Sequence, residues 1–219
     1  MTEAEQVPNT PDWSAAWLTP EVAASQSKRM KDEYLAWCNG GVHEPFTAFE
    51  ALAKQTCADA MLDIGCGAGI YFDMFMRSPT AKRYLGCDQA RAMVYAAQAE
   101  HTGGTYVIAD AQNLPLASKS FTMVLLGGIL NCTEFWEPIV AEAVRIALKC
   151  IMFHRVPLYR EGPDTRIIMR DVYGYQAPER EFRADFFRGY IDKLGDVTAS
   201  RAWSRGGSEQ MASFLVEME

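Results

Sequence analysis

The spacing of apolar residues changes near residue 56. Before it, they recur at helical intervals. Thr19 as an N-cap, Pro20 at the first helical position and Glu21 in the first turn open a helix. Val22, Met30, Tyr34 and Trp37 continue one face of it to about Asn39, where Gly40 and Gly41 end it. A second helix follows over about 45–54. The first 18 residues read as frayed, with Trp13 and Trp17 as anchors. From Ala60 onward, short continuous apolar runs (AMLDI, RYLGC, TYVIA, TMVLL, CIMFH) alternate with helical periods at about 71–76, 90–99 and 135–149. Alternation of this kind, with strands apolar throughout, predicts a parallel sheet covered on both faces. VTASRAWS and MASFLVEM, joined across Gly206, Gly207 and Ser208, predict a closing antiparallel hairpin. The expected fold is α/β: a doubly wound, mostly parallel seven-stranded sheet ending in that hairpin. Residues 1–55 form an N-terminal helical cap and 56–219 the core. A further helix is expected after Pro178, with Phe182, Phe186 and Tyr190 at four-residue steps into the core.

Composition narrows the function classes. The 219 residues are 49% hydrophobic and 22% charged, ordinary for a globular protein. No apolar run approaches the ~20 residues of a membrane span, and the N-terminus lacks the features of a secretory signal. The cytoplasm is the expected compartment. A net charge of −7 disfavours nucleic acid as a partner. The charge is uneven, because bases outnumber acids ten to eight between Arg155 and Arg205. Six scattered cysteines, without C-x-x-C or a nearby His pair, read as buried free thiols and predict neither a metal site nor a disulfide framework.

MLDIGCGAGIY, at 61–71, carries the chemistry. A buried strand that runs into alternate glycines and then a helix lets a ligand lie against bare backbone. Dinucleotide sites favour G-x-G-x-x-G, whose third glycine would fall where this chain has Ile70. That departure disfavours a dehydrogenase. LDIGCGAG, with Asp63 ahead of Gly65, Gly67 and Gly69, instead resembles the first motif of class I S-adenosylmethionine-dependent methyltransferases. YLGCDQA then offers Asp88 and Gln89, and VIADAQNLPLASKSF offers Asp110 and Ala111, in the order and spacing of that family. The resemblance spans about 58–153. It implies a Rossmann-like core with S-adenosylmethionine as cofactor and S-adenosylhomocysteine as product. Gly65, Gly67 and Gly69 would make room for the methionine end, and Asp63, Cys66 and Gly127 are further cofactor-binding candidates. Asp88 would grip the ribose hydroxyls with Gln89 beside the adenine. Asp110 and the Ala111 N–H would meet the adenine edge. The chain departs from the family at Thr122, at the missing Pro-Gly-Gly turn before the fifth strand, and at Gly127–Gly128.

The reaction implied is methyl transfer to a small-molecule acceptor whose O, N, S or C nucleophile is open, by a monomer or homodimer. A non-catalytic cofactor-binding module is the alternative. His154, expected just past the fifth strand, is the candidate general base. Tyr34 and Trp37 on the first helix, and Arg166, Arg170 and Tyr173 in TRIIMRDVYGYQ, are the candidate acceptor-side residues. Paired arginines suit a carboxylate or phosphate, and an aromatic face suits a sulfonium.

Overall fold

In the computed structural model, which describes residues 12–206 and 209–218, strand polarity follows the apolar runs. The elements are α1 (Pro20–Cys38), α2 (Glu44–Thr56), β1 (Ala60–Ile64), α3 (Ile70–Met76), β2 (Arg83–Asp88), α4 (Arg91–Glu100), β3 (Thr105–Ile108) and β4 (Phe121–Gly127). They continue as α5 (Trp136–Ile146), β5 (Ala147–Tyr159), β6 (Thr165–Val172), β7 (Tyr175–Arg183), α6 (Ala184–Ile191), β8 (Asp196–Gly206) and β9 (Glu209–Glu217). Strands β3-β2-β1-β4-β5 run parallel in that order, β9 pairs antiparallel with β5, and β8 with β9. The turn expected at Gly207 and Ser208 lies outside the described residues.

Burial on both faces explains the strands. All five residues of β1 are buried. Successive side chains point to opposite faces, so Met61 packs under α2 and α3 while Leu62 packs under α5. Phe46, Phe49 and Leu52 of α2 are almost wholly buried on the first face. At about 1.5–3 kcal/mol each, they make α2 part of the sheet's hydrophobic layer. Trp13 is buried as well, with the Arg180 guanidinium 4.8 Å from its ring centre.

The sheet exceeds the expected seven strands by two. β5 continues for 13 residues, past the end of β4, and β7 takes the vacated edge through Leu158–Phe182 and Tyr159–Arg183. β6 then pairs antiparallel with β7 across a two-residue turn, Tyr173–Gly174, at φ 52° and 88°. The helix expected after Pro178 is therefore corrected. Residues 178–183 are strand, and α6 begins only at Ala184. The aromatic spacing still marks one contact, because Phe182, Phe186 and Tyr190 all ring Trp136 at 4.8–6.4 Å. Pro178 sits where β7 has no partner on its β5 side, so its missing N–H breaks no ladder. All six cysteines are free, but only Cys66, Cys87 and Cys150 are buried; Cys38 and Cys57 are exposed.

Candidate functional site

Strand order reverses between β1 and β4, and ligands of such sheets collect beyond the carboxyl ends at that point. A cavity of about 830 Å³ opens there. Its floor is Gly65 and Gly67 after β1, Asp88 and Gln89 after β2, Asp110 and Ala111 after β3, and Gly127 and Gly128 after β4. Gln26 and Arg29 of α1 line it, as do Arg170 and Tyr173 of the β6–β7 hairpin. Val22, Ala23, Ala90 and Met93 join α1 to the start of α4 in a small cluster, against which Val172 and Tyr173 pack.

Local geometry explains the glycines. Gly65 and Gly67 have φ 73° and 52°, a region that costs an L-residue about 1–2 kcal/mol. A Cβ on Gly65 would lie 2.8 Å from the Ile129 side chain, and one on Gly67 would lie 2.8 Å from Gln26 Oε1. Four of the loop's donors are already committed. The Gly65 and Cys66 N–H groups both donate to the Cys87 carbonyl at 2.8 and 3.0 Å, Gly67 N–H to Asp88 Oδ2 at 3.0 Å, and Gly69 N–H to the Cys66 carbonyl at 3.0 Å. A pyrophosphate needs free donors, and these four are not free. Asp88 Oδ1 accepts from the Ala90 N–H at 2.8 Å. Burial raises the Asp88 carboxyl, and the Ala90 and Gly67 donors pull it back. Three atoms of cavity-lining residues, Trp17 Nε1, Gln26 Oε1 and Asn131 Oδ1, are buried without a hydrogen-bond partner. A polar ligand would satisfy them.

The comparisons with known proteins agree with this geometry. A methyltransferase-domain family model matches residues 62–149. Phthiotriol/phenolphthiotriol dimycocerosates methyltransferase 1 of Mycobacterium ulcerans (strain Agy99) is 32% identical over 106 residues, 48% of this chain and 37% of that relative's length. The fold is shared with a SAM-dependent methyltransferase of Methanosarcina mazei (TM-score 0.57, 14% identity, 73% of this chain and 92% of that one). It is also shared with magnesium protoporphyrin IX methyltransferase of Synechocystis PCC 6803 with bound SAH (TM-score 0.54, 13% identity, 90% and 84%). The match over residues 62–149, together with these relatives, supports a class I S-adenosylmethionine-dependent methyltransferase.

The sequence-predicted residues separate into those that line this cavity and those that support it. Gly65, Gly67, Asp88, Gln89, Asp110, Ala111 and Gly127 line it. Asp63, Cys66 and Gly69 do not. Asp63 is fully buried beneath the loop, where Oδ2 accepts from the Tyr84 hydroxyl at 2.8 Å and burial pushes its carboxyl up to about 7. Cys66 is buried, with its thiol raised by the same desolvation. Gly69 lies against Ala97, Tyr106 and His101, joining the loop to α4.

The acceptor-side expectations need larger corrections. His154 lies within β5, not past it, because the strand is longer than its apolar run. It has no exposed surface, its Nδ1 and Nε2 lie 2.7 Å from Ser213 Oγ and the Tyr71 hydroxyl, and burial holds its pKa well below the ordinary value. It is a neutral internal bridge. Tyr34 and Trp37 stack together and pack α1 on Phe46, away from the cavity. Arg166 pairs with Glu181 and is likewise outside it. Arg170 and Tyr173 do reach the cavity.

The lining residues without a counterpart among the expectations include Trp17, Gln26, Arg29, Asn131 and Arg155. Asn-Cys-Thr at 131–133 fits a glycosylation-acceptor pattern and signals no ligand contact, and Arg155 has no sequence signal of its own beside His154. Among the described residues no three His, Cys, Asp or Glu side chains cluster as a metal site requires, and no helix is long and apolar enough to cross a membrane.

Proposed function

We propose that this chain transfers a methyl group from S-adenosylmethionine to a small-molecule acceptor inside the cavity. One observation carries the reading: the cavity continues past the cofactor-side floor to Asn131, Arg155 and Met211, under a roof made by α1 and the β6–β7 hairpin. A roofed cleft of this kind suits a small acceptor better than a polymer. The whole cavity, at about 830 Å³, is within the ~300–1,000 Å³ of small-molecule sites.

Residue roles follow from position. Asp88 would accept from the ribose hydroxyls while keeping its two main-chain donors. Asp110 and the Ala111 N–H would meet the adenine. The Gly65–Gly67 segment, its N–H groups committed, offers carbonyl oxygens to an ammonium instead of donors to an anion. Bound there, S-adenosylmethionine supplies an activated methyl on a sulfonium. The protein aligns the acceptor, worth up to about 7–11 kcal/mol, and excludes water. Gly127 and Gly128 keep the floor clear where the two ligands would meet. α1 acts as a lid, with Gln26 over Gly67.

The test is transfer of labelled methyl from S-adenosylmethionine into a metabolite extract, with protein and RNA fractions in parallel. Label is expected in the low-molecular-mass fraction. Label confined to protein or RNA would refute the small-molecule reading.

A further inference from the structure

Beyond the cofactor floor, two polar groups converge on one bare backbone position. Gly128 has φ 85°, and a Cβ built there would point between Arg155 and Asn131. Asn131 Oδ1 would lie 3.9 Å from it and Arg155 Cζ 4.0 Å. Both side chains therefore flank the same spot in the cavity wall.

Each is held there by structure that does nothing else evident. Arg155 occupies a bulge in the β5–β9 ladder, between Phe153 and Val156, at φ 60°. Bulges re-aim side chains, and a non-glycine residue in this region is strained. The bulge carries Arg155 into the cavity from a strand whose neighbouring residues are buried in the sheet. Among the described residues Arg155 makes no ion pair, although the Tyr71 hydroxyl lies beside its guanidinium. Asn131 is more than nine-tenths buried. Its Nδ2 donates to Glu179 Oε1 at 2.9 Å, and Glu179 in turn accepts from Arg170 Nε at 2.9 Å. A carboxylate accepts but does not donate to that amide, which fixes the amide's orientation. Oδ1, beside Gly128 in the cavity wall, is left buried with no donor. The site thus offers an unsatisfied acceptor and a cation without a carboxylate.

We infer that Gly128, Asn131 and Arg155 form the acceptor subsite, selecting a small molecule that carries a carboxylate together with a nearby O–H or N–H group. The inference deepens the methyltransferase reading and rests on it. Arg155 takes the carboxylate, Asn131 Oδ1 takes the donor, and Gly128 leaves room between them. Arg170 and Glu179 act as positioning residues through Asn131.

The probe is 3-hydroxybenzoate, whose two groups cannot bond to each other, with phenol and benzoate each lacking one of them. Each is titrated calorimetrically into protein saturated with S-adenosylhomocysteine, so that the cofactor's own carboxylate is already accommodated. 3-Hydroxybenzoate is expected to bind roughly tenfold or more tightly than either control. Arg155→Gln should cost roughly tenfold or more for 3-hydroxybenzoate, leave phenol unchanged, and hold S-adenosylhomocysteine affinity within about twofold; Arg155→Lys should recover part of the loss. Asn131→Ala should erase the advantage of 3-hydroxybenzoate over benzoate. Retained S-adenosylhomocysteine binding shows that each variant is folded. Equal binding of the three probes, or no binding of 3-hydroxybenzoate, overturns the inference. So does a loss of S-adenosylhomocysteine affinity in Arg155→Gln that matches the loss for the probe, since Arg155 would then hold the cofactor's carboxylate. Failure of the wild-type protein to bind S-adenosylhomocysteine would instead strike the methyltransferase reading, and the inference with it.

Discussion

Replacing Asp88 by alanine separates its two duties. In the free protein its carboxylate accepts two main-chain N–H groups, from Gly67 at 3.0 Å and Ala90 at 2.8 Å. Losing them leaves two donors unsatisfied in a half-buried position. At the lower part of the ~1–3 kcal/mol range for each such group, the variant should lose about 2–4 kcal/mol of stability, read by urea denaturation without ligand. For the cofactor, hydrogen bonds to a charged group are worth about 1.5–3 kcal/mol. S-adenosylhomocysteine should therefore bind roughly 10- to 150-fold more weakly, measured by calorimetry well below the variant's unfolding midpoint. Adenosine and 2′-deoxyadenosine complete a cycle: the wild type should discriminate between them and Asp88→Ala should not. A folded Asp88→Ala protein that binds S-adenosylhomocysteine within about twofold of wild type would place the ribose elsewhere and reduce Asp88 to a brace for the glycine loop.

Other expectations follow from the same geometry. Gly65→Ala meets both a φ of 73° and Ile129 at 2.8 Å; it should lose about 2–3 kcal/mol and most cofactor affinity. Gly174→Ala, at φ 88° with nothing within 4 Å, should cost only about 1–2 kcal/mol and leave binding intact. Thermal unfolding with calorimetric titration distinguishes the two. Buried His154 stays neutral in the fold but protonates when unfolded, so its contribution is lost as pH falls below about 6.5. Asp63, raised to about 7, holds a proton that the unfolded chain releases near 3.9, so stability falls as pH rises between those values. The two slopes oppose each other, and Asp63→Asn should expose the first. Its stability should climb more steeply than wild type's between about pH 4.5 and 6.5, by up to ~1.4 kcal/mol per pH unit; an unchanged slope refutes the assignment. Glu142 accepts from Arg145 at 2.6 and 2.7 Å and from the Leu114 N–H at 2.7 Å, anchoring the loop after β3. Glu142→Gln should cost about 1.5–3 kcal/mol in urea denaturation at pH 7. Because Arg145 holds the Glu142 carboxyl below its ordinary range, that advantage should shrink as pH falls below about 4.5.

The cavity floor was legible because its residues are tied to strand ends. A buried strand followed by Gly-Cys-Gly-Ala-Gly, and acids closing or following the next two strands, leave few alternative placements. Contacts through the third dimension were less legible. Asp63 belongs to the motif, yet it supports the loop through Tyr84, 21 residues away. The apolar run ends at His154 and so places it past a strand, whereas the strand runs on to Tyr159 with its other edge paired to β9. Residues 178–190 carried a four-residue aromatic spacing that both a helix and a strand-then-helix satisfy. What decides is the pairing of β6 with β7, and local periodicity does not report that. Arg155 enters the cavity only through a bulge, which has no signature in a single sequence.

The account stands or falls on what binds against the backbone after β1. Calorimetric titration of the wild-type protein with S-adenosylhomocysteine and with NAD, side by side, tests it most directly. Saturable binding of S-adenosylhomocysteine at one site per chain, with no heat from NAD, is predicted by a loop whose Gly65, Cys66, Gly67 and Gly69 N–H groups are already committed. Tight NAD binding with none of S-adenosylhomocysteine would contradict it.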